Sequence, residues 1–435
     1  MGKLGSIRTK IRNHPLIDLL FTLKGNAFVS ILLEPLWGIP HSLIAPFSAV
    51  YMRALGVSNI QIGFALSIAM VAQVFCAFLG GIITDKLGRK TTTIIGDLLG
   101  WIIPCAIWAC AQNYWFFLAA MVLNCFEQIN QTAWVCLLVE DAPPKALLNI
   151  WNWILIAGQL AVFFSPISGA LIRQHSLIPV MRGLYAIFSI TMIIKCIITY
   201  FYTTETEQGK IRKIESKGAS VKRMVNGYAK LIPQTLKNKE TMCALAIMVV
   251  VNITGMVSGN FYALYATASL GIPENYLAYF PIIRAGVMLL FFVIQHKLSK
   301  YRTKAPMLIG LGLYIASQVL LIASPKQTAI PLIVYTLFEA VAFGLVYPRK
   351  ELITAVFVDK KERARIIALL TTMMIAISIP FGGITGALSK ADGRLPFVLN
   401  IALYLLAAVV IIAMKKNPGE GDDEDESEKQ IEVTA

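Results

Sequence analysis

The chain has 435 residues, 57% hydrophobic and 15% charged, with a formal net charge of +14. Soluble globular proteins carry about 25% charged residues, so the composition excludes an ordinary soluble domain and points to an integral membrane protein. The cations sit in linkers between apolar blocks, which reads the basic balance as membrane topology rather than nucleic-acid binding.

In chain order, residues 1–25 form a basic segment expected in the cytoplasm. It lacks the h-region and cleavage site of a signal peptide, and 15–23 reads as a short interfacial helix. Apolar blocks follow near 26–52, 61–83, 92–111, 114–139, 148–172 and 183–203, then near 241–267, 276–296, 306–324, 329–356, 366–389 and 396–413. Each has about the length that a helix needs to cross roughly 30 Å of hydrocarbon. Stretches such as CALAIMVVV (243–251) and ALYLLAAVVIIA (402–413) have no polar face, as expected of helices facing lipid or a large core.

The expected fold is therefore an all-α membrane protein of twelve transmembrane helices in two six-helix bundles, at 26–203 and 241–413. A polar central loop, 204–240, joins them, and its LIPQTL stretch (231–236) could form an amphipathic helix on the membrane surface. Residues 414–435 form an acidic tail expected to be disordered. The seven cysteines, at 76, 105, 110, 125, 136, 196 and 243, form no CxxC and suggest neither disulfides nor a metal site.

Lys and Arg number about 29 in the N-terminus, 84–91, 140–147, 203–240, 297–305, 359–365 and the C-terminus. The opposite loops hold only Arg53, Arg173, Arg182, Lys326, Lys390 and Arg394. The positive-inside rule then puts both termini and the central loop in the cytoplasm. The halves echo each other: YMRALGVSNIQIGF (51–64) with YATASLGIPENYLAYF (265–280), and DKLGRKTTTIIG (85–96) with SKYRTKAPMLIG (299–310), both at an offset of about 214 residues. Parallel repeats of this kind are a transporter architecture with the substrate site at their interface.

The stretch GGIITDKLGRKTTT (80–93) packs glycine and charge into one turn between apolar blocks. Gly80 and Gly81 would let a neighbouring helix approach closely, and Gly88 could take a left-handed conformation. Asp85 is placed to cap an adjoining helix or to pair with cations. Arg89 and Lys90 are expected to stay in water or reach lipid headgroups.

This loop closely resembles the signature between spans 2 and 3 of the major facilitator superfamily, Gly-x-Leu-Ala-Asp-Arg-x-Gly-Arg-Lys. Gly81, Asp85, Gly88, Arg89 and Lys90 fall at its fixed positions, with Ile83, Thr84 and Lys86 as close replacements. The twelve-span layout extends the resemblance over nearly the whole chain. The resemblance implies the bacterial-type fold of that family, a plasma-membrane location and a loop that latches the halves together when the cytoplasmic side is closed. It also implies a central cavity lined by spans 1, 4, 7 and 10.

Ionisable residues inside spans cost about 3 kcal/mol each on insertion scales and need a reason. Glu34 and His41 lie in span 1, where Pro35, Pro40 and Pro46 are expected to interrupt the helix. Glu127 lies roughly 20 Å deep in span 4, followed by Gln128, Asn130, Gln131 and Trp134. Glu339 is similarly deep in span 10, and Arg284 in span 8 is its expected partner. Asn252, Asn260, Tyr262 and Tyr265 offer polar groups from span 7. Glu34, His41, Glu127, Gln128, Gln131, Trp134, Asn252, Asn260, Tyr265, Arg284 and Glu339 are thus the cavity candidates for substrate and protons. Asp97 and Lys195 are expected to form a structural pair, and Arg349, Lys350 and Glu351 to line the cytoplasmic vestibule.

The leading reading is a secondary transporter of a small organic solute working by alternating access, with protons as candidate coupling ions. A lipid flippase or scramblase on the same fold is the alternative. A membrane enzyme fits worse: there is no GxxxxGK[ST] loop and no GxSxG elbow, and the histidines at 14, 41, 175 and 296 form no local metal motif. No cofactor and no metal are expected. The expected partners are a small-molecule substrate and membrane lipids, not nucleic acid, and a monomer is expected. The amphipathic lining suits a small polar or cationic solute.

Overall fold

The computed structural model describes residues 22–57, 59–217, 232–233, 235–272, 279–294, 303–359 and 361–414. The interfacial helix expected at 15–23 lies largely outside the described residues, as does the acidic tail; of the 231–236 stretch, residues 232–233 and 235–236 are described and are helical. Every regular element among the described residues is a helix.

The first half runs α1 (Gly25–Ile44), α2 (Ser48–Ala54), α3 (Asn59–Leu87), α4 (Arg89–Asp97), α5 (Ile103–Ala109), α6 (Tyr114–Leu123), α7 (Phe126–Val139), α8 (Leu147–Val162), α9 (Ser165–His175) and α10 (Leu177–Tyr202). A short helix, α11 (Glu207–Glu215), follows. The second half comprises α12 (Lys239–Leu264), α13 (Tyr279–Ile294), α14 (Lys304–Ile322), α15 (Ile330–Val356), α16 (Arg363–Ala391) and α17 (Leu395–Ala413).

Among the described residues, 10 helices are long and apolar enough to cross a membrane. The two other expected spans are helical but miss that measure. The 114–139 span breaks between α6 and α7, where Asn124 Nδ2 donates to Gly100 O at 2.7 Å. The 276–296 span is described from Tyr279 to Ile294, with Phe280–Phe291 as its apolar part.

Span 1 corrects one expectation. Helix α1 runs unbroken through Pro35 and Pro40, and only Pro46 falls in a tight turn that ends it. Inside a bundle, side chains can satisfy the backbone groups that proline frees.

Packing divides the molecule by end. Near the 85–90 loop, Val135 and Ile150 of the first half share one apolar cluster with Ala355, Ala364 and Ile367 of the second. At the opposite end each half has its own cluster, around Tyr51, Phe117 and Tyr185 in the first and Tyr265, Phe280 and Phe397 in the second. Helix α16 records the same division. Residues 366–370 are buried, whereas most of 376–391 is exposed. Helix α3 packs along α16, and α8 along α13 and α15. Among the described residues, the two bundles therefore share an apolar cluster at one end and have separate ones at the other.

Candidate functional site

The closed end is built on the GGIITDKLGRKTTT turn. Gly88 has φ 91°, a left-handed value suited to glycine, and it joins α3 to α4. No side chain caps α4, so Asp85 works as an ion-pair partner. Its Oδ1 lies 3.1 Å from Arg89 Nη1, and its Oδ2 lies 2.6 Å from Arg365 Nε on α16. Arg89 is not solvated as expected. It is 0% exposed and also contacts Glu140 through Nε at 3.1 Å. The reason is geometric: Asp85 and Glu140 flank it, and its backbone N–H donates to Glu205 Oε1 at 2.7 Å. Lys90 does not reach outward either. Its Nζ donates to the carbonyls of Tyr200, in the last turn of α10, and Thr203, just beyond it, at 2.6 and 2.8 Å.

Helix α11 straps across this end. Thr206 caps it and donates to Glu140 Oε2. Ser216 Oγ donates to Asp85 O at 3.1 Å, tying the helix to the first half. On the other side Arg212 donates to Lys361 O through Nε at 2.8 Å and pairs with Glu362, just before α16. Sequence reasoning missed Glu140, Glu205, Arg212 and Arg365 because it read them as topogenic or loop charges. Their spacing from the motif carries no local period, so only three-dimensional packing could reveal them.

Between the halves lies a cavity of about 870 Å³. Of the expected residues, Gln128, Gln131, Asn252, Tyr262, Arg284 and Glu339 line it. Arg284 Nε and Glu339 Oε2 are 3.1 Å apart, and the guanidinium lies 5.0 Å from the centre of the Phe343 ring. Deeper towards the closed end, Lys350 Nζ and Glu351 Oε1 are 2.5 Å apart. Arg349 departs from the expected vestibule. It is 2% exposed, turned into its own bundle, and donates to Leu345 O at 2.9 Å.

Other candidates lie off the cavity wall. His41 stacks on Trp37 with centroids 4.7 Å apart and meets Trp101 edge-on. Trp134 packs on Trp151, and Tyr265 on Phe397. Asn260 is exposed and donates to Met256 O. Asp97 and Lys195 form a buried pair at 3.0 Å, and Asn130 Nδ2 donates to Asp97 Oδ1 at 2.7 Å. Glu34 and Glu127 do not line the cavity. The FE dipeptides at 126–127 and 338–339 therefore serve different places, since only the second reaches the cavity. A Cβ on Gly100 would meet the Glu127 backbone nitrogen at 2.9 Å, so α7 packs directly on the π-helical turn Leu98–Ile102.

The sequence and fold were compared with known proteins. A 154-residue stretch is 30% identical to an uncharacterized MFS-type transporter, YqjV, of Bacillus subtilis, covering 34% of this chain and 37% of that relative. A 254-residue stretch is 28% identical to the multidrug resistance protein MdtG of Yersinia enterocolitica, covering 54% of this chain and 55% of that relative. The chain thus spans about a third and about half the length of these curated relatives. Two solved structures share the fold. The proton:xylose symporter XylE, bound to 6-bromo-6-deoxy-D-glucose, has a TM-score of 0.69 at 14% identity, covering 90% of this chain and 95% of that one. FucP, in the outward conformation, has a TM-score of 0.71 at 16% identity, covering 89% and 97%. The family model of the Major Facilitator Superfamily matches residues 36–349 and 298–434. With its helices long and apolar enough to cross a membrane many times, the chain belongs to the Major Facilitator Superfamily.

Proposed function

We propose that this chain moves a small organic solute by alternating access, and that the arrangement described here is its outward-facing state. One observation carries the reading. Among the described residues, the two halves pair through Asp85 and Arg365 and share an apolar cluster at one end of the cavity, and they share none at the other. The positive-inside asymmetry of the sequence supports placing the Asp85–Arg365 end, with both termini, on the cytoplasmic side, and we take the membrane to be a bacterial plasma membrane. Rocking of the bundles about the cavity would break the Asp85–Arg365 contact and close the opposite end. Glu34, Glu127 and Glu339 are the acids on which a proton would be carried if the cycle is proton-coupled. The names of the relatives, a multidrug resistance protein and a proton-coupled sugar symporter, agree with a solute cargo.

The reading is tested with purified protein. A solute library is screened by thermal shift, since a ligand that prefers the folded state raises the melting point. Each hit is then followed for flux into proteoliposomes, with and without a pH gradient. Saturable flux of a hit supports the proposal. Flip of a headgroup-labelled lipid without solute flux would favour lipid handling instead.

A further inference from the structure

The cavity wall is divided by chemistry. The first half contributes three neutral amides, Gln128 and Gln131 of α7 and Gln159 of α8. The second half contributes all the charge and all the aromatic surface among the described residues. Its charges are two cations and two anions: Arg284, Lys350, Glu339 and Glu351. Each cation already faces one carboxylate, at 3.1 Å and 2.5 Å. The aromatic surface is ordered in stacked pairs. Tyr262 and Tyr335 have centroids 5.0 Å apart at 13°, and Tyr314 and Tyr404 are 4.6 Å apart at 6°.

A ligand with net charge would compete with one of these pairs and leave the freed partner unpaired in a partly buried site, which is unfavourable. An electroneutral ligand escapes that cost. A neutral solute can use the amides and tyrosine hydroxyls as hydrogen-bond partners. A zwitterion can insert between Arg284 and Glu339 and replace one pair by two, with no change in net charge. Tyr262 is half-buried at the wall and the other three tyrosines are set more deeply behind it, an aromatic lining that suits a ring or other flat apolar face. We infer that the cavity selects an electroneutral solute with a ring face, held between the glutamines of the first half and the tyrosines of the second. This deepens the transport proposal above and rests on it for the identity of the cavity as the substrate site.

The test uses full-length purified protein and four probes of similar size: phenyl β-glucoside (neutral), tryptophan (zwitterionic), benzyltrimethylammonium (cationic) and phenylacetate (anionic). Affinity is read from saturable thermal shifts. The glucoside or tryptophan should bind at least about tenfold more tightly than the two ions, and the arms separate neutral from zwitterionic recognition. E339Q leaves Arg284 unpaired and should improve phenylacetate binding about tenfold. R284Q should do the same for benzyltrimethylammonium, and R284Q/E339Q should lose both gains. R284K, which keeps the charge, controls for folding and should retain the wild-type ranking. A wild-type preference for an ionic probe overturns the inference, as does absence of binding by all four probes or an unchanged ranking in both single variants. A neutral probe that binds in the cavity but never crosses a proteoliposome membrane would leave this inference standing and contradict transport.

Discussion

Arg365 Nε donates to Asp85 Oδ2 at 2.6 Å, joining positions 280 residues apart and the two halves of the molecule. The other oxygen of Asp85 holds Arg89 within its own half. One buried carboxylate therefore ties the fold of the loop to the closure of the bundles. Removing one partner of a buried pair costs about 3–5 kcal/mol, comparable to the few kcal/mol that separate conformers. R365Q is expected to shift the protein towards the opposite state while its topology stays intact. Spin labels at Lys86 and Lys361 should move apart, and labels at Arg53 and Lys390 should approach, by double electron–electron resonance. Unchanged distances would assign the pair a purely structural role.

The α11 strap predicts a second effect at the same end. Arg212 grips Lys361 O and Glu362, whereas Ser216 holds Asp85 O. R212A should loosen closure in the same direction as R365Q but by less, because Asp85–Arg365 persists. The double variant should exceed each single one. The labels at Lys86 and Lys361 report this directly, and a double variant no different from R365Q would show that the strap adds nothing.

These two contacts show where sequence reasoning ends. The spans, the two halves and the motif were legible because apolar runs and glycine–charge spacing are local signals. The Arg284–Glu339 pair was within reach because depth follows from helical rise. Arg89 was misjudged as solvated, since its burial depends on Glu140 and Glu205, which lie far along the chain. Glu127 and Glu339 share a dipeptide and a depth, yet helix rotation sends only Glu339 to the cavity wall. Rotation of a helix about its axis is set by neighbours, so apolar length alone leaves it open.

Asp97 and Lys195 lie in the packing of α4 against α10, away from the cavity wall. K195M leaves a buried carboxylate without its cation and should lower the melting temperature of the detergent-solubilised protein. The loss corresponds to about 3–5 kcal/mol for a broken buried pair. D97N/K195M removes both charges and should recover most of it. Thermal denaturation followed by tryptophan fluorescence measures both. A double variant as unstable as K195M would mean that the pair is more than a stabilising contact.

Close approach at glycine gives a further test. A Cβ on Gly96 would lie 2.5 Å from Asn130 Cβ and 2.9 Å from Asn130 Cα, so α4 and α7 must part. G96A should cost about 1–3 kcal/mol of stability, as overpacking does, and should disturb the Asn130–Asp97 hydrogen bond. G158A meets nothing within 4 Å and serves as the control. Equal melting temperatures for the two variants would contradict the packing.

The most direct test of alternating access is two-sided labelling of the cavity. In a cysteine-free background, a cysteine at Gln131 is treated with a membrane-impermeant maleimide in intact cells and in inverted vesicles. The wild-type gate should allow labelling chiefly from outside the cell, and R365Q should move it to the cytoplasmic side. Labelling of the wild-type gate from the cytoplasmic side alone would contradict the outward-facing assignment, and equal labelling from both sides at once would indicate an open pore instead of a transporter.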